Sequence, residues 1–529
     1  MVTTTRNLSR EQRLAALPRE TDLLVIGGGI TGAGIALEAA RRGVRVVLIE
    51  ARDFAWGTSS RSSKLVHGGL RYLKEGKPAL TLESVRERNQ LMREIPGLVD
   101  PMGFVMAHHA GHKPRRNTMR VGLALYDAFA GKRSSGWASV ADLQFLAPGI
   151  APDGLDGASL YLDATTDDAR LVLRVIAEAQ RAGACAINYL PAHSLLRNAE
   201  GEVCGARLRC AETGIDIDVQ AACTIAATGV WADQLRASLG QTPKLRPLRG
   251  SHLLLPAWRL PLARAVAFLH PTDRRPIFAY PWEGTTLIGT TDLDHDGIDQ
   301  EPAITTAEVH YLLDALNQCF PGLSATPADV LSTWAGVRPV VDSGKALAPS
   351  QESRDHIVLQ EQGLISVTGG KLTTFRRIAQ DTLRHAAPRL PMLRLASDHT
   401  IIPQCPPPAN IERLPSHLRE RLLGRLGSAL DEMLHAASTE DLMPVAETRT
   451  LWAELHWALR HEQVAHLDDL LLRRTRLGLT LREGAIELLP RLKVGCQSEL
   501  GWSDARWQDE CDRYRALIAR CYALPAELK

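Results

Sequence analysis

Two stretches of this sequence combine residue types and spacings that can do chemistry. Gly27-Gly28-Gly29-Ile30-Thr31-Gly32 has the G-x-G-x-x-G spacing, in which Gly27, Gly29 and Gly32 leave no side chain between main-chain amides and a pyrophosphate. Glu50 follows at the distance expected of a carboxylate that accepts hydrogen bonds from an adenosine ribose, and its charge would repel the extra phosphate of NADP. The expected ligand is FAD or NAD. Just beyond, Thr58-Ser59-Ser60-Arg61-Ser62-Ser63-Lys64 offers hydroxyls and cations for a second set of phosphate contacts, and it runs into His67-Gly68-Gly69-Leu70-Arg71-Tyr72.

The flanking elements must hold these residues. Leu23 to Ile26 is an apolar run that ends in the glycines, Ile30 to Arg42 reads as a helix, and Val44 to Ile49 is a β-branched run ending at Glu50. Strand, helix, strand is the context the motif requires. Similar runs recur at Cys223 to Thr228 and Leu364 to Thr368, each with the look of the same sheet's rim. The chain is therefore expected to be α/β, with a discontinuous Rossmann-like cofactor domain (about 20–74, 161–245 and 340–390) and a β-sheet substrate domain (about 75–160 and 246–339).

From Pro388 to Pro415 the chain is proline-rich, including Cys405-Pro406-Pro407-Pro408, which predicts an extended connector over about 391–410. Residues 411–529 alternate leucine, alanine and charge at helical spacing, with Trp452, Trp457, Trp502 and Trp507 as candidate core anchors of an all-helical C-terminal domain. Every cofactor motif precedes the connector, so removal of the chain beyond about residue 395 is expected to leave cofactor binding intact.

Composition narrows the functional classes. A net charge of +2 over 529 residues gives no general attraction for nucleic acid, so an acidic substrate must be held by local cations. Nine scattered cysteines without a Cys-x-x-Cys pair argue against a disulfide framework and a zinc site, and fit a reducing compartment. His108, His109 and His112 lie close together with no carboxylate or cysteine at ligand spacing, so no metal is expected. The N-terminus has no signal-peptide core, and no stretch holds about 18 uninterrupted apolar residues, so the expected location is cytoplasmic or on a membrane surface.

Seven ordered motifs resemble the FAD-dependent, aerobic glycerol-3-phosphate dehydrogenases of the D-amino-acid-oxidase-like superfamily. They are Ile26 to Gly32, Ser62 to Tyr72, Asp167-Asp168-Ala169-Arg170-Leu171, Gly250-Ser251-His252, Ile288-Gly289-Thr290-Thr291-Asp292, Gly336-Val337-Arg338-Pro339 and Gly369-Gly370-Lys371-Leu372-Thr373-Thr374. The resemblance implies FAD as cofactor, oxidation of sn-glycerol 3-phosphate to dihydroxyacetone phosphate, and ubiquinone as acceptor. It also implies a homodimer as a possible assembly. Ser62, Ser63, Lys64 and Leu65 are expected on the flavin side of FAD, with His67, Gly68, Thr228, Gly229, Gly370, Lys371, Leu372 and Thr373 completing the cofactor set of Gly27, Gly29, Gly32, Glu50, Thr58 and Ser59. Arg71, Tyr72, Arg338 and Arg354 are expected around the substrate.

A phosphate dianion calls for arginine forks, and an unactivated secondary alcohol calls for removal of a hydroxyl proton as hydride leaves carbon. Arg354 and Arg71 are assigned to the phosphate, Tyr72 to a hydrogen-bonding wall, and Arg338 to the oxygen where charge develops. His252 is the favoured proton acceptor, with Lys371 or a water as alternatives. A helix is expected over Leu372 to Leu383, with the amides at Gly370 and Lys371 aimed at the flavin edge. Asp167 and Asp168 read as caps of a helix from Ala169 to Arg181.

Between Gly111 and Arg133 the cations Lys113, Arg115, Arg116, Arg120, Lys132 and Arg133 interleave with Met119, Val121, Leu123, Leu125, Tyr126 and Phe129, a pattern that suits an anionic bilayer surface and equally a substrate-domain helix with a solvated basic face; the resemblance to membrane-associated, quinone-reducing dehydrogenases implies the first, at the cytoplasmic face of the inner membrane. Three readings compete with a quinone-linked dehydrogenase. An oxidase using oxygen differs only in acceptor. An amine or 2-hydroxy-acid oxidase is disfavoured because its substrates carry no phosphate. A non-catalytic flavin-binding protein would have no need of Arg71, Arg338 and Arg354.

Overall fold

The computed structural model describes residues 8–74, 76–111, 114–345, 349, 352, 354–394 and 400–528, without the side chains of Arg71 and Lys74. Its first sheet has eight strands. Glu20–Ile26 lies at the centre, parallel to Val46–Ile49 on one side and to Asp216–Ala226 on the other. Leu364–Gly369 extends the parallel set beyond Asp216–Ala226, and Cys185–Ile187 extends it beyond Val46–Ile49. Strands covered on both faces must be apolar throughout, and Leu23, Leu24, Val25, Val47 and Leu48 are fully buried. The helices Ile30–Ala40, Asp168–Arg181 and Phe375–Ala386 pack together over this sheet.

The second sheet has ten strands, and its main antiparallel pairing joins Leu245–Pro256 to Ser332–Val341 and Thr285–Gly289. This register sets His252 opposite both Trp334 and Gly289, with Arg338 opposite Leu248. Two pieces expected in the cofactor domain belong instead to the second sheet, Leu65–Val66 and the end of Leu155–Thr166. Leu65–Val66 pairs with Thr165 and Ala164 in the second sheet, so the loop after Glu50 crosses from the cofactor domain into the substrate domain.

The C-terminal region is helical, with Ser416–Leu426, Ala429–Ala436, Trp452–His461, Leu489–Leu500 and Asp504–Leu517 as its longer elements. Trp452, Trp457 and Trp507 are buried and Trp502 is half-buried. This region does not stand apart as the proline content suggests. Trp452, Leu470, Leu471 and Tyr514 share one apolar core with Phe104, Tyr161, Leu254, Trp282 and Trp334 of the substrate sheet.

The connector is equally engaged where it is described. Ile401 and Ile402 are buried in the core of the cofactor domain, their amides donate to Glu94 at 2.8 Å each, and the Ile401 carbonyl accepts from Arg41 at 2.7 Å. Residues 395–399, where truncation was considered, lie outside the described set. The apolar pair inside an otherwise proline-rich stretch is what ties it down.

Candidate active site

A cleft of about 260 Å³ opens at the carboxyl ends of the parallel strands. Its floor is the glycine turn. Gly27 has φ +114°, and a Cβ there would meet the Ala227 carbonyl oxygen at 2.5 Å. Gly29 caps the helix Ile30–Ala40, whose N-terminal residues Ile30 and Thr31 line the cleft. Gly32 lies one turn along and does not line the cleft; a Cβ there would collide with the Gly27 carbonyl, so this glycine lets the helix pack on the turn.

Glu50 lines the adjoining wall. Its carboxylate accepts from the Gly28 amide at 2.6 Å and the Arg52 amide at 2.9 Å, and burial pushes its pKa above the ordinary carboxylate range. Thr58, Ser59, Ser62, Thr228, Gly229, Gly370, Lys371 and Leu372 also face the cleft. Ser59 Oγ accepts from the Ile30 amide at 3.0 Å, and Thr58 Oγ1 donates to the Val337 carbonyl at 2.5 Å. Both hydroxyls therefore brace the loop as well as line the site. Trp56 and Trp231, which sequence reasoning did not select, complete one side with rings 5.7 Å apart.

Five residues expected in the cofactor set lie elsewhere, and Ser63 lies on the substrate side. Lys64, at φ +53°, turns its ammonium inward to Asp168 at 2.9 Å and Ser60 O at 2.8 Å; burial lowers its pKa to about 8 against the pull of Asp168. Leu65 belongs to the second sheet. The Gly68 amide donates to Asp163 at 2.8 Å beneath Tyr126, and Thr373 Oγ1 donates to the His67 carbonyl at 3.3 Å. These residues shape the loop and do not face the cleft.

Ser63 Oγ and His252 Nε2 are 2.9 Å apart. The His252 ring stacks on Trp334 with centroids 4.9 Å apart, and Nδ1 is buried with no hydrogen-bond partner. Burial, then the charges of Arg338 and Lys64, hold its pKa well below the ordinary histidine value. Room for this ring exists because residue 289 is glycine, where a Cβ would strike the imidazole. Gly250 does the same for the Arg338 guanidinium.

Asp292 organises the cations. Its buried carboxylate pairs with Arg338 at 2.7 Å, Arg354 at 3.3 Å and Arg275 at 3.5 Å. Three guanidiniums gathered on one carboxylate bring forks to one place that suit a phosphate. Arg338 also donates to Thr290 Oγ1 at 3.2 Å. Sequence reasoning selected Arg338 and Arg354, quoted Asp292 only as part of a motif, and missed Arg275, which stands in no motif.

Lys371 precedes a short 3-10 turn, Leu372–Thr374, and the helix proper begins at Phe375. Its ammonium donates to Ser84 at 2.9 Å and lies 4.0 Å over the buried Tyr72 ring. The Arg71 side chain lies outside the described residues. His108 is held by Ser159 at 2.8 Å and the Pro114 carbonyl at 3.1 Å, and His109 reaches the Ala151 carbonyl; His112 lies outside the described residues.

Residues 22–376 match the FAD dependent oxidoreductase family, and residues 365–507 match the C-terminal domain of alpha-glycerophosphate oxidase. An aerobic glycerol-3-phosphate dehydrogenase of Staphylococcus aureus (strain USA300) is 35% identical over 484 residues, 86% of either chain. The structure of a glycerol-3-phosphate dehydrogenase from Bacillus halodurans complexed with FAD superimposes with TM-score 0.76 at 28% identity over 96% of both chains. An L-alpha-glycerophosphate oxidase from Mycoplasma pneumoniae with FAD bound shares the fold over 73% of this chain, with TM-score 0.57 and 17% identity.

FAD is the cofactor, and the cleft fits it. Thr228 Oγ1 is buried beside the glycine turn without a partner, Gly27 and Gly29 put no side chain into the cleft, and Glu50 is oriented by main-chain donors. Cofactor family, helical C-terminal match and likeness along most of the chain agree, and the chain belongs to the FAD-dependent glycerol-3-phosphate dehydrogenase family.

Proposed function

We propose that this protein oxidises sn-glycerol 3-phosphate to dihydroxyacetone phosphate and passes the electrons to a membrane quinone. The observation that carries the reading is the trio Arg275, Arg338 and Arg354 on one buried carboxylate, beside a neutral histidine. The names of the S. aureus and B. halodurans relatives point to the same substrate. Bound FAD supplies a hydride acceptor.

The residues divide the remaining work. Arg354 and Arg275 hold the phosphate, and the Arg338 guanidinium stabilises negative charge on the secondary-alcohol oxygen as the carbon–hydrogen bond breaks. His252 takes the hydroxyl proton. Because the ring stays neutral well below pH 6.5, the reaction keeps its rate at pH 6, where an ordinary histidine base would be largely protonated. Lys371 over Tyr72 closes the cofactor side of the chamber.

Anaerobic addition of sn-glycerol 3-phosphate to the purified yellow protein tests the reading. The flavin absorbance is expected to bleach with this substrate and to persist with glycerol or lactate. An unbleached flavin sinks the proposed activity. Oxygen as acceptor is the second reading, favoured by the match of residues 365–507 to a glycerophosphate oxidase domain. Rates of reoxidation by oxygen and by a soluble quinone decide between them.

Quinone reduction calls for peripheral attachment to the cytoplasmic face of the inner membrane. Among the described residues no helix is long and apolar enough to cross a bilayer. In the helix Arg116–Ala130, Met119, Leu123 and Tyr126 are buried and Arg116 stacks on Trp137, so the surface available to lipid is narrower than the sequence pattern. Its exposed side chains include Arg120, Val121 and Leu125, beside the exposed Arg115. Co-sedimentation with anionic liposomes is expected to fall for Arg115→Glu/Arg120→Glu and for high salt. Equal binding by variant and wild type removes this helix from the membrane surface.

A further inference from the structure

Asp168 begins the helix Asp168–Arg181 and is fully buried, yet its carboxylate serves three residues from two separate stretches of chain. One oxygen accepts from both the amide and the hydroxyl of Ser62, at 3.0 and 2.7 Å. Lys64 Nζ reaches both oxygens, at 2.9 and 3.0 Å. The third partner is Arg476, from the helical C-terminal region. Its guanidinium donates to Asp168, to Asp167 Oδ1 from Nε at 2.9 Å, and to the Leu472 carbonyl at 2.6 Å.

The loop that these contacts hold separates cofactor from substrate. Ser62 lines the cofactor cleft, Ser63 bonds His252, and the Lys64 ammonium lies 4.7 Å from the Trp334 ring on which His252 stacks. Trp334 Nε1 donates back to the Ser62 carbonyl at 3.3 Å, and Tyr280 donates to that of Ser63. The planar guanidinium spans two consecutive carboxylates, so it fixes which Asp168 oxygen faces Ser62. Without it, Asp168 keeps only Lys64 as a charged partner, and its Oδ1 is held by that ammonium and the Ala169 amide alone.

We propose that Arg476 is a positioning residue for the reaction: acting through Asp168, it sets the Ser62–Lys64 loop and with it the hydrogen bond between Ser63 and His252. The helical region is thereby part of the active site's alignment. The proposal rests on the proton-acceptor role of His252 for its kinetic readout, but the flavin environment reports on it independently, because Ser62 faces the cofactor. Displacement of a reacting group by about 1 Å through a remote substitution can cost on the order of 100-fold in rate.

The test compares Arg476→Gln, Arg476→Lys and Glu462→Gln holoenzymes with wild type. Glu462 joins the same two regions through Arg170, at 2.7 and 3.0 Å, and touches neither Asp168 nor the loop. For Arg476→Gln we expect kcat per bound flavin to fall by about 100-fold with little change in KM, together with a shifted visible flavin spectrum and a displaced acid limb of the pH profile. Arg476→Lys, which keeps the charge but not the fork, is expected to fold and to show the same changes in smaller degree. Glu462→Gln is expected to lower only the melting temperature. If a folded Arg476→Gln or Arg476→Lys enzyme matches wild type in kcat, pH profile and flavin spectrum, or if Glu462→Gln moves them equally, the proposal is overturned. If wild type itself does not bleach with sn-glycerol 3-phosphate, the functional reading fails, and the flavin spectra alone then decide the positioning role.

Discussion

Around the cofactor cleft, the lining is a glycine turn that keeps side chains away, several hydroxyls, two tryptophans, one lysine and one carboxylate. At the seam between the C-terminal helices and the same domain, the chain does the reverse. It buries whole side-chain charges, with Arg473 and Arg474 on Asp53, Arg425 on Asp167, and Arg476 on Asp167 and Asp168. The cleft leaves the Thr228 hydroxyl without a protein partner, where a ligand can supply one. The seam sets each of these charges against an opposite one, because an unmatched buried charge costs several kcal/mol. The first region gains affinity from what is missing, and the second gains register from what is paired.

The sharpest test of that contrast is truncation after residue 394. It removes Ile401, Ile402 and the helices that share a core with Trp282 and Trp334. We expect no soluble yellow protein, measured as flavin per mole of soluble chain. A truncated chain that still holds FAD would make the seam dispensable to the cleft, as the connector's composition alone suggests.

Next in size is Arg474→Met, which leaves Asp53 with a buried charge only partly matched by Arg473. A loss of about 3–5 kcal/mol in denaturant unfolding is expected, with the flavin spectrum of the folded fraction unchanged. Arg338→Ala probes the substrate side. It should lower kcat by about 100-fold to 1000-fold while FAD content stays at the wild-type level. Arg354→Ala should act chiefly on KM. Equal kcat losses for the two would merge the roles assigned to them.

The smallest effect is a pH dependence at the seam. His466 bonds Glu510 at 2.8 Å and Glu212 at 3.1 Å. Burial opposes its charge, but hydrogen bonds to these two carboxylates and the charge of Asp469 outweigh it and the repulsion of Arg513, raising the pKa to about 9. The folded form binds the proton more tightly than the unfolded chain, so the stabilisation is complete below about pH 6.5 and is lost as pH rises through 9. The stability gap between wild type and His466→Gln should therefore narrow from pH 6 to pH 9.5. A gap that widens would reverse the sign of the coupling.

What was legible in the sequence follows the same division. The glycine turn acts on atoms within a few residues, and Glu50 reaches Gly28 across one helix and one strand, so spacing alone could place them. Resemblance carried Arg338 and His252, which spacing could not, because their meeting depends on the pairing of two distant strands. Lys64 was misplaced because a residue type does not reveal a left-handed backbone that turns the side chain inward. Arg476 stands 308 positions from Asp168 and in no motif, and nothing in its surroundings marks it as a partner of the cofactor loop. Arg275 was missed for the same reason, although the aspartate that gathers it stands in a recognised motif.

The buried pair Ile401 and Ile402 also bears on how the protein is made. Strands of the cofactor sheet come from residues 20–26, 46–49, 216–226 and 364–369, and these two isoleucines close its core last. A ribosome must therefore release the chain past residue 402 of 529 before the nucleotide domain can be sealed. Until then the nascent chain carries open strand edges and bare apolar surface, the features that recruit chaperones and promote aggregation. Stable flavin retention is therefore expected only once the chain past residue 402 has been made.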